Sequence, residues 1–278
     1  MHTRALKQPI ETMKKSPKSI ADYVSDLQQS GRYTFTKAEA KKALGGSDSV
    51  MKLSLWRLAR KKRVVLIREG FYVIVPIEYA SRGVLPPEWF IDDLMKFIRQ
   101  PYYVGLLSAA ALHGAAHQQP QEFHVVVPAA MRSIKAGPLL IRFFKKVNMK
   151  SSSTEESKTQ TGYMKVSNPA VTALDLVAYA SRVGGLDRVF TVLQELSEKM
   201  NADMVLQAAK KEKNVAYVQR LGWLLEKAGH GALSAGIADS LSRREPRETP
   251  LDPSLPRKGF PRDSKWNVII NADVEGEV

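Results

Sequence analysis

Between Leu53 and Val75 the chain reads LSLWRLARKKRVVLIREGFYVIV, and its apolar period changes partway along. Up to about Arg60 the apolar residues recur at three and four, the period of an amphipathic helix. From Val64 they crowd into two short β-branched and aromatic runs. Glu69-Gly70 separates those runs, and a glycine there supplies the backbone freedom of a tight hairpin turn. A helix running directly into a hairpin leaves few folds open, and the residues upstream narrow the choice further. From Lys18 onward, Ile20, Val24 and Leu27 mark a first helix that Gly31 can terminate in the left-handed conformation. Thr36 followed by Glu39 is a capping box that starts a short second helix ending near Leu44. GGSDS then forms a turn, and Ser47 or Asp48 can cap a third helix. That helix carries Met51, Leu55 and Leu58 on one face and Lys52, Trp56 and Arg60 on another. Three helices followed by a hairpin is the order of a winged helix-turn-helix.

The charge distribution indicates what such a module would meet. The net charge is +14, and residues 1–65 hold fifteen Lys/Arg against five Asp/Glu, whereas residues 242–278 hold seven of each. A cationic field concentrated in so short a segment attracts polyanions, and nucleic acid is the polyanion that a winged helix reads. In that reading the third helix enters the major groove. Ser49 and Lys52 offer hydrogen bonds to base edges, Leu53 lies between groove contact and shallow core, and Trp56 packs. Arg57, Arg60, Lys61, Lys62 and Arg63 would meet phosphates, with Arg68 at the wing and Lys37 at the start of the second helix. The rival reading is a helix–helix–hairpin unit that serves as a protein-interaction module.

The expected architecture is α+β. A basic arm (1–17) precedes a winged helix-turn-helix (18–80). A larger mixed α/β domain with a helical C-terminal half and an extended tail (242–278) follows from about residue 88 to residue 278. Strands are expected at 122–128, 139–146 and 162–167, a polar loop at 151–159, and helices at about 88–99, from Asn168, and at about 185–200, 202–211 and 214–229. The tail should run extended over the body, with KWNVII pairing as a strand. Cysteine is absent, which removes disulfides, thiolate metal sites and a cysteine nucleophile, and is consistent with a cytoplasmic location. The amino-terminal stretch lacks the apolar core of a signal peptide, and no apolar run is long enough to span a bilayer. His113, His117 and His124 lie close in sequence, but no H-E-x-x-H arrangement accompanies them, and a packed helix end explains His113 more simply than a metal does. No glycine pattern cradles a nucleotide, and no nucleophile elbow surrounds Ser108. No catalytic residue, metal or cofactor is expected.

Four stretches together resemble one family. They are REGFYVIVP (68–76), YYVGLLSAAALHG (102–114) followed by QEFHVVVP (121–128), KVSNPAVTALDLVAY (165–179) and KGFPRDSKWNVIIN (258–271). In this order they resemble the antitoxin of the AbiE abortive-infection toxin–antitoxin systems, from about residue 18 to the end. The resemblance implies a transcriptional repressor with an N-terminal winged helix that binds inverted repeats before its own operon. It implies a C-terminal domain that serves antitoxicity against a nucleotidyltransferase-like toxin. It also implies a type IV system, in which toxin and antitoxin need not form a stable complex. Because no coiled coil is visible, the free protein is expected to be a monomer that pairs cooperatively on double-stranded operator DNA, with no membrane partner. Two other readings stay open. In one the C-terminal domain inhibits the toxin directly as a protein partner. In the other the chain is a nucleic-acid-processing enzyme targeted by its winged helix.

Overall fold

The computed structural model describes residues 19–115 and 121–276. The basic arm and His117 therefore lie outside the described residues. The chain is α+β and divides into two compact units, Met1–Val84 and Leu85–Val278.

In the first unit, α1 (Ile20–Gln29) is capped by Ser19, whose hydroxyl accepts from the Asp22 amide. Gly31 ends it at φ 77°, and the Arg32 amide closes back onto the Leu27 carbonyl. A short strand β1 (Thr34–Thr36) leads into α2 (Lys37–Leu44), which opens on the expected Thr36–Glu39 capping box. Ser47, not Asp48, caps α3 (Asp48–Arg60). The hairpin follows as β2 (Val64–Arg68) and β3 (Phe71–Ile74), in a three-stranded sheet ordered β1-β3-β2. Strand β1 is not legible in TFT, because three residues carry no period. Its pairing with β3 (Thr34↔Val73, Thr36↔Phe71) is what makes it a strand. Val24, Phe35, Leu55, Val64 and Ile74 are buried together beneath the helices, and Phe35 stacks on Tyr72 at 5.4 Å.

The second unit is built on a six-stranded mixed sheet. After a 3₁₀ turn at Pro87–Trp89 come α4 (Ile91–Ile98), β4 (Tyr103–Val104), α5 (Leu106–Leu112), β5 (Phe123–Val127), β6 (Ile134–Ala136), β7 (Leu139–Lys145), β8 (Thr154–Lys158) and β9 (Tyr163–Ser167), in the spatial order β6-β7-β5-β4-β9-β8. Helices α6 (Pro169–Ala178), α7 (Leu186–Ser197), α8 (Ala202–Lys211), α9 (Val215–Lys227) and α10 (Gly231–Ser242) form the helical half, and α6 is buried along almost its whole length. The polar loop expected at 151–159 is not a loop: Thr154–Lys158 is an edge strand paired antiparallel with β9. TEESK has no apolar alternation because it is mostly exposed on both faces, so hydrogen bonding alone defines it. Helix α10 also lacks a sequence signal. Its GALSAGIADSLS sequence is rich in small residues and buries only Ser234, Ile237 and Leu241.

The tail docks as expected. Its β10 (Thr249–Pro250) and β11 (Arg262–Asp263) flank β12 (Val268–Ile269) in a small sheet. Trp266 is fully buried against α9, and its Nε1 donates to Glu226 at 2.9 Å. Elsewhere the core encloses charge. Asp175 is 1% exposed. Burial pushes its carboxyl up, while the Lys146 ammonium at 2.7 Å and the Tyr103 hydroxyl at 2.7 Å pull the other way. This pair ties the end of β7 to α6.

His124, on β5, is 3% exposed and lies edge-on to Phe144 at 5.0 Å. Burial lowers its imidazole pKa from 6.5 to about 4; Glu122 opposes the shift, and Arg142 and Arg188 add to it. An unfolded chain would protonate this ring near pH 6.5 while the folded one keeps it neutral. The contribution is therefore whole above that pH and drains away as the pH falls toward 4. Urea midpoints should drop across this window, and His124→Phe, which cannot titrate, should flatten the slope. An unchanged slope in the variant would show that other groups carry the pH dependence.

Candidate nucleic-acid interface

Helix α3 has two opposite faces. Met51, Leu55 and Leu58 are buried. At about 100° per residue, Ser49, Lys52, Leu53, Trp56, Arg57 and Arg60 fall on an arc centred opposite those three. All six are exposed, so the residue pattern has become a surface. Leu53 is 47% exposed and Trp56 53%, which places both outside the core. The Arg60 guanidinium lies 5.0 Å from the Trp56 ring centroid, a cation–π contact that holds it over the exposed arc. Val50, 62% exposed, borders the same arc; it is absent from the residues singled out by sequence, although its spacing of three from Leu53 and six from Trp56 marks the face. In α3 the one acidic residue is Asp48, at its first turn.

The exit of α3 is shaped by its closing turn. Lys61 caps the helix, the Lys62 amide reaches the Ala59 carbonyl at 2.9 Å and the Arg63 amide reaches the Leu58 carbonyl at 3.0 Å. This is a Schellman closure, in which the residue after the cap takes positive φ. Here that residue is lysine, at φ 54°. Glycine is the usual occupant because a side chain there is strained. Lys62→Gly should therefore stabilise the first unit by roughly 0.5–1 kcal/mol in urea melts. If the variant is less stable, the closing turn is not strained by Lys62. Lys61, Lys62 and Arg63 are all exposed and project from one bend.

The wing presents Arg68 beside the Glu69-Gly70 turn, with Gly70 at φ 81° and a register shift between Leu66 and Arg68. Arg68 is exposed and sits at the tip. The Gly70 carbonyl accepts from the Lys37 amide at 2.9 Å, which fixes the wing turn against the start of α2. Lys37 differs from the other cations, because its ammonium pairs with Asp48 at 3.0 Å and Lys41 pairs with the same carboxylate. Those two lysines hold the Asp48 carboxyl down at about 2. Asp48 thus offsets Lys37 and leaves the cations farther along α3 without an acidic neighbour on the helix.

In the second unit, two of the three histidines fall on described residues. His113 caps α5 and its Nε2 lies 2.7 Å from the Ser167 carbonyl, while His124 is buried on β5. Among the described residues no group of His, Cys, Asp and Glu could hold a metal ion, and no helix is long and apolar enough to cross a membrane.

No curated protein matches the chain. The chain is similar in structure to the RV2827C protein from Mycobacterium tuberculosis, whose crystal structure superposes with a TM-score of 0.65 over 89% of each chain at 13% identity; this shows a shared fold. Residues 103–227 match the family model of the AbiEi antitoxin C-terminal domain. That segment runs from β4 through α9 and comprises all six strands of the sheet and helices α5 to α9. The larger unit of the chain thus carries an AbiEi-like antitoxin C-terminal domain.

Proposed function

We propose that the protein is the antitoxin of a type IV toxin–antitoxin system that represses its own operon by binding inverted repeats in duplex operator DNA. The first unit does the binding, with α3 in the major groove and the wing alongside. The second opposes a nucleotidyltransferase-like toxin without catalysis and without a lasting complex. The protein works in the cytoplasm, as a monomer when free and as a cooperative pair on DNA. The observation that carries the reading is the exposed arc of α3, where Ser49, Lys52, Arg57 and Arg60 stand opposite a buried face and run into Lys61, Lys62 and Arg63. Phosphates take the cations, and base edges take Ser49 and Lys52. Leu53 and Val50 are positioned to meet thymine methyl groups.

Footprinting on the DNA just upstream of the gene tests the proposal. A protected inverted repeat is expected, with affinity falling at a log–log salt slope of roughly −5 if about six phosphates are neutralised. Lys52→Ala should change which operator sequence is preferred, by about tenfold between competitor sites. An unaltered preference in competition gel shifts would remove Lys52 from base readout. One observation favours a second reading: Val50, Leu53 and Trp56 leave apolar surface exposed on the same helix. Absence of a footprint, together with copurification of the toxin, would make the protein a direct inhibitor.

A further inference from the structure

Arg220, on α9, is 7% exposed. Its Nε donates to the Pro250 carbonyl at 2.9 Å and its Nη2 to the Thr249 hydroxyl at 3.2 Å, which ties the tail to the helix. Both acceptors are neutral. Among the described residues the guanidinium makes no ion pair, and its Nη1 has no protein acceptor. The buried Asp175 of the same unit, by contrast, has the Lys146 ammonium at 2.7 Å. A charge removed from water is costly unless an opposite charge or a full set of hydrogen bonds compensates it.

Arg220 lines a cleft of about 310 Å³, together with Tyr217, Leu186, Leu251, Ser181 and Asp252. That volume is within the range of small-molecule sites. Two helices begin at its wall. Helix α7 starts after Gly185, at φ 93°, and no side chain caps its first-turn amides; α9 starts at Val215, with Asn214 as its cap. Uncapped amides at a twelve-residue helix's positive end attract oxyanions. Asp252 is the acid in the lining and its carboxylate acts on Arg220 through space, while its Oδ1 accepts from the Ser254 amide at 2.8 Å and the Ser254 hydroxyl at 2.7 Å.

We propose that this cleft binds the phosphate group of a small phosphorylated molecule, with Arg220 and the first turn of α7 holding the oxyanion and Tyr217, Leu186 and Leu251 facing the organic body. A guanidinium with a free edge and a set of fixed amides suits the tetrahedral oxygens of phosphate. The site lies within the second unit and is independent of the cationic arc on α3.

The test uses the full chain and inorganic phosphate, followed by NMR through the Arg220 Nε–Hε resonance, which is local to the cleft and blind to phosphate on the α3 lysines. A saturable shift is expected at phosphate concentrations on the order of ten millimolar, with none from sodium chloride at matched ionic strength. Because Arg220 also anchors the tail, two variants leave it in place. Ser181→Trp, at an exposed lining position, should abolish the shift without changing the melting temperature. Asp252→Asn keeps an oxygen for Ser254 while removing the negative charge, and should tighten phosphate binding about threefold. The same shifts with sodium chloride, no saturation, or a titration unaltered in both variants would overturn the proposal.

Discussion

Gly222→Ala in the full chain is expected to destabilise the second unit by about 4 kcal/mol. Gly222 lies midway along α9, where a glycine would ordinarily weaken a helix and alanine would strengthen it. The tertiary contact reverses that preference. A Cβ at this position would stand 2.1–2.4 Å from three carbons of the Trp266 ring, a distance no side chain tolerates. The ring has little room to retreat, since it is fully buried, its Nε1 donates to Glu226 at 2.9 Å and its backbone amide to Asp263 at 2.9 Å. Either the indole is expelled, with the loss of a large buried apolar surface, or α9 moves away from its neighbours. Urea denaturation followed by tryptophan fluorescence measures the effect. The substitution should cost far less in a Trp266→Leu background, which removes the clash. If Gly222→Ala melts like the wild type, the tail does not dock through this ring.

Replacing Lys61, Lys62 and Arg63 together with alanine should weaken DNA binding by about 100-fold at physiological salt and make the salt slope shallower by about 3. These three side chains are exposed, so their loss leaves the core of the first unit untouched. Their cations lie past the last turn of α3, where they would meet phosphate rather than bases, so specific and random DNA should lose affinity alike. This separates them from Lys52, whose loss should change the ratio between sequences. A triple variant that lost specificity but kept non-specific binding would reverse the assignment of roles. Lys37 gives an internal contrast: its ammonium is already paired with Asp48, so Lys37→Ala should have a smaller effect than removal of any unpaired cation on α3.

The elements with strong periods are legible in the residues alone. Met51, Leu55 and Leu58 recur at helical spacing and are buried, and the capping box at Thr36 and Glu39 forms as its residues imply. The short strands are not legible. TFT and the exposed TEESK have no pattern that distinguishes them from loop, and each is a strand only because a partner lies beside it. Leu53 cannot be assigned from spacing, since groove contact and shallow core use the same apolar residue; its exposure excludes the core. Nor can a run of sequence show that Lys37 and Lys41 share one carboxylate.

By itself, the sequence determined the local order: three capped or glycine-ended helices, a hairpin, a crowd of cations before it, and a family resemblance carried by four ordered stretches. Those properties depend on residues within a few positions of one another, where φ, capping and period act directly. Only the tertiary structure decided which cations stay unpaired on α3, why α9 needs glycine where Trp266 lands, and that Arg220 is buried against neutral hydrogen-bond acceptors without an ion pair. Each of these depends on groups far apart in the chain but close in space, and burial sets their energies.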